Sequence, residues 1–210
     1  MKPYELYNFI AHIPHDAYTT SGDSVQWCIK VDDIDKRIRL IFEESADKRD
    51  WINNFNFPVK IYKKQESCML AARGWGNAWK SCNDEVMAAL IKAAEEHPDY
   101  IIEICGWSYG GAMSILAAED FCYRTHIKPV VTTFGAPKVI WGKRTQKYLT
   151  GCMTGLAQYM HVNDCVPLMP PFPGYRHVHK DKIGKGFCFL RLFNPKKWHT
   201  VYGEAQLYAC

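Results

Sequence analysis

The 210-residue chain has nine cysteines but no Cys-x-x-Cys pair. That spacing offers no zinc framework, and an odd count makes a poor disulfide set. Several of the cysteines sit in apolar runs, where a free thiol packs as a small hydrophobe, so a reducing compartment is expected. No run approaches the roughly 18 uncharged apolar residues of a membrane span. Met1-Lys2-Pro3-Tyr4-Glu5 leads into no apolar stretch of signal length, and a cytosolic protein is the expectation. The 14 Gly and 11 Pro are scattered, which excludes collagen-like and low-complexity chains. A net charge of +4, from 26 basic and 22 acidic residues, is too mild for a nucleic-acid binder. There is no internal repeat and no linker-like break in composition. What is present is 48% hydrophobic and 23% charged residues, the balance of an ordinary globular protein, so one domain over 1–210 is expected.

Strand-like and helix-like segments alternate, the pattern of α/β layers around a mainly parallel sheet. Segments 25–31 and 37–42 read as strands joined by the Asp-rich turn Asp32-Asp33-Ile34-Asp35, a hairpin. Segment 45–57 is polar with embedded aromatics and reads as a loop or a short amphipathic helix. The pattern predicts a helix over 81–96, capped by Ser81 or Asn83 and stopped by Pro98. A buried strand over 100–105, a helix over 110–121 and an apolar strand over 130–134 follow. Further on come a helix over 141–152, a strand over 156–162, a Pro-rich loop over 167–174, a strand over 187–193 and a terminal helix from about Trp198.

Gly106-Trp107-Ser108-Tyr109-Gly110-Gly111 falls between the buried strand and the next helix. In that context Gly-x-Ser-x-Gly reads as a nucleophile elbow, with glycines where flanking side chains would clash. Ser108 is the candidate nucleophile. The Tyr109 amide, at the helix start, is a candidate donor to an oxyanion. A serine hydroxyl needs an adjacent base, and hydrolases of this kind order their groups Ser, then Asp or Glu, then His. Asp164 ends the 156–162 strand and is the candidate acid. Asp120 falls in the helix after the nucleophile and is expected to be solvated, and Asp181 reads as a surface carboxylate. His177, His179 and His199 lie downstream, and His199, expected to open the last helix, is the favoured base. His177 and His179 find no convergent partners as metal ligands, so no metal and no organic cofactor is expected.

These segments resemble the class 3 lipases, the fungal-lipase-like branch of the α/β-hydrolases, from about residue 25 to the end. The elbow is similar to that family's Gly-His-Ser-Leu-Gly-Gly. Thr133-Phe134-Gly135-Ala136-Pro137-Lys138-Val139 is similar to its Phe-Gly-x-Pro-Arg-Val. His161-Val162-Asn163-Asp164-Cys165-Val166-Pro167, with Pro170-Pro171 and Tyr175-Arg176-His177, is similar to its Asn-Asp-x-Val-Pro…Pro-Pro…Tyr-x-His. His199-Thr200-Val201-Tyr202 matches its terminal His-x-x-Tyr. The resemblance implies an α/β-hydrolase fold in a small single domain, with Ser108, Asp164 and His199 as the catalytic triad. It places Ser45 as the second oxyanion donor. It also marks a segment, 46–57, that is either a lid over the serine or a loop whose aromatics pack on the surface. Small members without signals imply a bacterial or phage source.

Two departures stand out. Glu43-Glu44 replaces the family's Arg-Gly beside the oxyanion position, where a carboxylate opposes a developing negative charge, and Trp107 replaces a His before the nucleophile. The expected function is a serine ester hydrolase on acyl esters, with a lipid substrate and transient contact with a lipid interface. The alternative is a lipase-fold protein with weak or no catalysis that binds lipid or protein. Acyl transfer, or peptide or thioester cleavage, is a third option. Seven Lys or Arg between 176 and 197, against Asp181 alone, read as a solvated face or as a surface toward anionic lipid.

Overall fold

The computed structural model describes residues 1–43, 59–63, 69–186 and 195–208. Its main sheet has seven strands: β1 (Thr19–Ser21), β2 (Val25–Asp32), β3 (Arg37–Phe42), β6 (Ile101–Trp107), β7 (Val130–Phe134), β9 (Gly155–His161) and β11 (Asp181–Ile183), in that spatial order. β1, β2 and β3 pair antiparallel, so the Asp-rich turn does close a hairpin. From β3 onward the pairing is parallel. A smaller antiparallel sheet holds β10 (Tyr175–Arg176), β8 (Ile140–Trp141), β5 (Met69–Ala72) and β4 (Val59–Lys63). The helices are α1 (Pro3–Ala11), α2 (Arg73–Glu96), α3 (Tyr109–Thr125), α4 (Gly142–Gly151) and the short α5 (Pro195–His199).

Strand side chains alternate between the two faces of the sheet, and the core divides accordingly. Ile38, Leu40 and Phe42 of β3, with Ile102 and Ile104 of β6, pack under α2 and α3. Ile41 and Cys105 point the other way, against Leu6, Tyr7 and Ile10 of α1 and Tyr202. Helices therefore cover both faces, as expected. Helix α3 is buried from Gly110 through Phe121, because its small residues let it press on the sheet. A Cβ at Gly110 would lie 2.2 Å from the Phe42 carbonyl oxygen, so that contact requires glycine. Arg39 and Glu103 share the α1 face of the sheet and pair at 2.9 Å, and Asp32 takes a second guanidinium nitrogen at 2.6 Å.

Several sequence expectations are corrected. α2 begins at Arg73 rather than near residue 81, because Gly74 and Gly76 mask its first two turns, and it ends at Glu96 ahead of Pro98. Ser81 caps nothing. Its hydroxyl donates to the Ala78 carbonyl and accepts the Asp23 amide. Helix α1, β1, the smaller sheet and β11 have no counterpart in the periodicity, since each is short or leans on partners remote in sequence. His199 closes its helix instead of opening it. Asp120 is buried, not solvated. The strand expected over 187–193, Ser45 and the segment 46–57 lie outside the described residues.

Candidate active site

Strand β6 runs into α3 through Trp107 and Ser108, and Ser108 adopts φ 55° and ψ −118°. That region is costly for a residue with a Cβ, and such strain persists only where the surroundings enforce it. Here the Ser108 amide donates to the Phe134 carbonyl at 2.9 Å, fixing the turn to β7. A Cβ at Gly106 would lie 2.4 Å from the Gly110 carbonyl carbon, so glycine is needed where the strand passes beneath the helix. Tyr109 is the first residue of α3. Its amide belongs to the helix's opening N–H groups, which have no partner inside the helix and favour negative charge.

Asp164 follows β9 and is 2% exposed. His199 Nδ1 donates to Asp164 Oδ2 at 2.7 Å, the Tyr202 hydroxyl donates to the same oxygen at 2.6 Å, and the Val166 amide donates to Oδ1 at 2.9 Å. With Nδ1 carrying the hydrogen, Nε2 of the neutral ring is a lone-pair acceptor, the state a general base needs. Nε2 is buried and has no hydrogen-bond partner among the described residues.

Gly135 lies against this pair. A Cβ there would meet His199 Cε1 at 2.9 Å and Asp164 Oδ2 at 3.0 Å, and its φ of +56° also favours glycine. Because Gly135 directly follows the residue that accepts the Ser108 amide, the serine turn and the Asp–His pair share one corner of the sheet. Trp107 ties them further: its indole Nε1 donates to the His199 carbonyl at 3.0 Å, and its ring lies 5.4 Å from the imidazole. Ser108, Tyr109, Asp164 and His199 are thus brought to one place. His179 pairs with Asp181 Oδ1 at 3.1 Å, and His177 Nε2 donates to the Pro167 carbonyl, so neither is presented as a base. Asp181 also accepts the Gln158 amide, as a partly buried structural group.

Sequence reading missed Tyr7 as a member of this neighbourhood, and it gave Trp107 and Gly135 no tie to His199. Tyr7 of α1 packs edge-on to Trp107 and Phe134, and its hydroxyl donates to the Thr200 carbonyl at 3.4 Å. Nothing in a lone aromatic near the N-terminus signals that. Tyr202 had a signal, its place three residues after His199. The Glu43 carboxylate is paired with His15, whose Nδ1 lies 2.9 Å from it, and that bond raises the His15 pKa above its ordinary 6.5. Among the described residues no group of three or more His, Cys, Asp or Glu is placed to hold a metal ion.

The chain matches the family model for lipase (class 3) over residues 40–173, more than half its length. It is 30% identical over 153 residues to the secreted mono- and diacylglycerol lipase 1 of Fusarium solani, covering 71% of this chain and 44% of that protein. It is 28% identical over 151 residues to the secreted mono- and diacylglycerol lipase A of Penicillium cyclopium, covering 71% of this chain and 48% of that one. The chain thus spans about half the length of the curated relatives it matches. A solved structure of the Penicillium cyclopium lipase superimposes with a TM-score of 0.74 at 22% identity, covering 90% of this chain and 80% of that one. These relatives are fungal and named as secreted, which overturns the expectation of a cytosolic protein of bacterial or phage origin. The absence of a signal-like stretch and the free thiols were too weak a basis for it. With its fold and family motifs matched together, the chain belongs to the class 3 lipases, built on a small α/β-hydrolase domain.

Proposed function

We propose that this protein is a serine ester hydrolase that cleaves acyl esters of lipids, working as one domain through an acyl-enzyme on Ser108. The observation that carries the reading is the buried His199–Asp164 bond, whose free Nε2 shares a corner of the sheet with the strained serine turn. In this scheme Ser108 Oγ attacks the ester carbonyl as His199 Nε2 takes its proton. Asp164 holds the ring in the right tautomer and stabilises the imidazolium. The Tyr109 amide and the Ser45 amide are the proposed donors to the oxyanion. His199 then returns the proton to the departing alcohol, leaving the acyl group on Ser108. Water, activated by the same Nε2, releases the acid and restores the serine. His199 carries both protons of the cycle, the serine's to the departing alcohol and the water's back to Ser108.

Mono- and diacylglycerols are the first substrates to try, since the fungal relatives are named for them. Leu168 and Phe172, each about half exposed on the loop after Asp164, support transient contact with a lipid surface. Segment 46–57 is proposed as the lid. Ser108→Ala tests the reading directly, with turnover of a short-chain nitrophenyl ester and a diacylglycerol emulsion as readouts. Loss of about 10⁴-fold or more is expected, with the circular dichroism spectrum unchanged. Equal turnover by wild type and variant rejects the assignment.

A further inference from the structure

Asp164 also lines a cavity of about 550 Å³, together with Lys138, Lys180, Lys182, His177, Met160 and Leu168. Its charge is one-sided. Asp164 is the sole acid among the described lining residues, and its fully buried carboxylate is already committed to His199, Tyr202 and the Val166 amide. Asp181, between the two lysines in sequence, turns the other way along the strand to accept the Gln158 amide and pair with His179. Lys138 is half-buried with Nζ on the Pro170 carbonyl at 2.8 Å, and burial with the nearby Lys180 charge lowers its pKa. His177, 3% exposed, keeps Nε2 on the Pro167 carbonyl while its Nδ1 is buried with no partner among the described residues. Burial, with smaller contributions from the Lys180 and Lys138 charges, holds its pKa down to about 4.

We propose that this cavity is an anion-binding site, separate from the serine, that takes the oxyanion head of an amphiphile, a carboxylate or phosphate. Lys138, Lys180 and Lys182 surround the charge, and Met160, Pro167 and Leu168 offer the start of an aliphatic chain an apolar wall. The basic stretch after residue 176 thereby gains a role that a flat solvated face would not have. Two of its lysines converge on a cavity together with a third from the β7–β8 connection. The anion comes from free solution, as a released fatty acid or inorganic phosphate, or from the headgroup of an anionic lipid.

Calorimetry on the intact protein with octanoate and with inorganic phosphate tests the free-anion source. Flotation with vesicles of ether-linked phosphatidylcholine, with and without ether-linked phosphatidic acid, tests the lipid source. Exposed Lys180 and Lys182 are replaced together by Gln, with Lys143→Gln/Lys147→Gln on α4 as the control. Binding of at least one anionic probe is expected, weakened about tenfold or more by the first pair and unchanged by the second. A response to octanoate or phosphate identifies a free anion, and a response to phosphatidic acid vesicles alone identifies the headgroup. In wild type, the NMR resonances of the His177 ring should shift on binding. No binding of any probe, equal binding by the Lys180/Lys182 variant, or a bound anion that leaves His177 unshifted overturns the proposal.

Discussion

Two regions of the interior are organised around a buried carboxylate, and they satisfy it by different means. Asp120, on α3, takes the Trp79 indole at 3.1 Å, the Asn83 amide at 3.2 Å and Arg124 Nε at 3.0 Å. Asp164, after β9, takes the Tyr202 hydroxyl, the Val166 amide and His199. Arginine is charged at every accessible pH, so Asp120 is a closed ion pair within α3, while its bonds from Trp79 and Asn83 fasten α3 to α2. Imidazole becomes a cation only when it accepts a proton, so Asp164 is an ion pair held in reserve. Burial makes both carboxylates demanding of partners. Only the second leaves that demand open, because Nε2 of its imidazole has no partner among the described residues and remains able to take a proton.

Matched substitutions should separate the two most sharply. Asp164→Asn keeps the shape but loses the carboxylate that fixes the tautomer and stabilises the imidazolium, and ester turnover should fall about 10⁴-fold. Asp120→Asn should leave turnover within about threefold while costing about 2–3 kcal/mol of stability, because Arg124 and the Trp79 indole lose a charged acceptor. Ester hydrolysis and urea unfolding on both variants check this. If Asp120→Asn loses activity as completely as Asp164→Asn while remaining folded, the contrast between a lock and a latent pair fails.

A smaller change sharpens the same contrast. Asp164 Oδ2 carries two donors, His199 and Tyr202, so the tyrosine draws on the electron density that also serves the imidazole. Tyr202→Phe leaves the oxygen to His199 alone and removes one of the donors that hold the carboxylate in place. Less firmly held, the carboxylate orients the imidazole less well, and kcat should fall about tenfold with KM unchanged. The His161 amide, which now donates to the Tyr202 hydroxyl at 3.1 Å, loses its partner, at a cost of about 1–2 kcal/mol. Lower stability with kcat unchanged would leave Tyr202 a purely structural residue.

Much of this region is legible in sequence because its chemistry is local. The elbow needs glycines at fixed offsets from Ser108, the main strands and α3 carry strong apolar patterns, and the Ser–Asp–His order narrows the choice of acid and base. What was illegible depends on distant pairing. Asp120 reads as solvated because its three partners lie on another helix and one turn away, and nothing local announces a buried carboxylate. Gly135 reads as the end of a strand, and only the converging Asp164 and His199 reveal why a Cβ has no room there. Helix α1 escaped because its burial is provided by Trp107, Phe134 and Tyr202, nearly a hundred residues or more away. The source and compartment failed for another reason, since composition constrains the folded chain far more than the cell that makes it.

The mildest version of the comparison is the third carboxylate–cation pair, Glu43 with His15 near the oxyanion end of β3. It too pairs a carboxylate with an imidazole, but His15 is exposed, so water screens what burial intensifies at the other. The hydrogen bond and charge of Glu43 still raise the His15 pKa above 6.5 in the folded state. The sign follows from linkage. The folded protein holds this proton more tightly than the unfolded chain, so the pair's contribution is fully present below pH 6.5 and is lost as pH rises through the raised value. Glu43→Gln should therefore bring the His15 titration, followed by NMR, back toward 6.5. It should lower the urea midpoint slightly at pH 5.5 and leave it equal to wild type at pH 9. Ester turnover at pH 6 should change less than about twofold, since protonated His15 already balances the charge. A large gain in turnover there would mean that Glu43 faces the oxyanion despite His15, and that an exposed partner cannot neutralise a carboxylate at this end of the sheet.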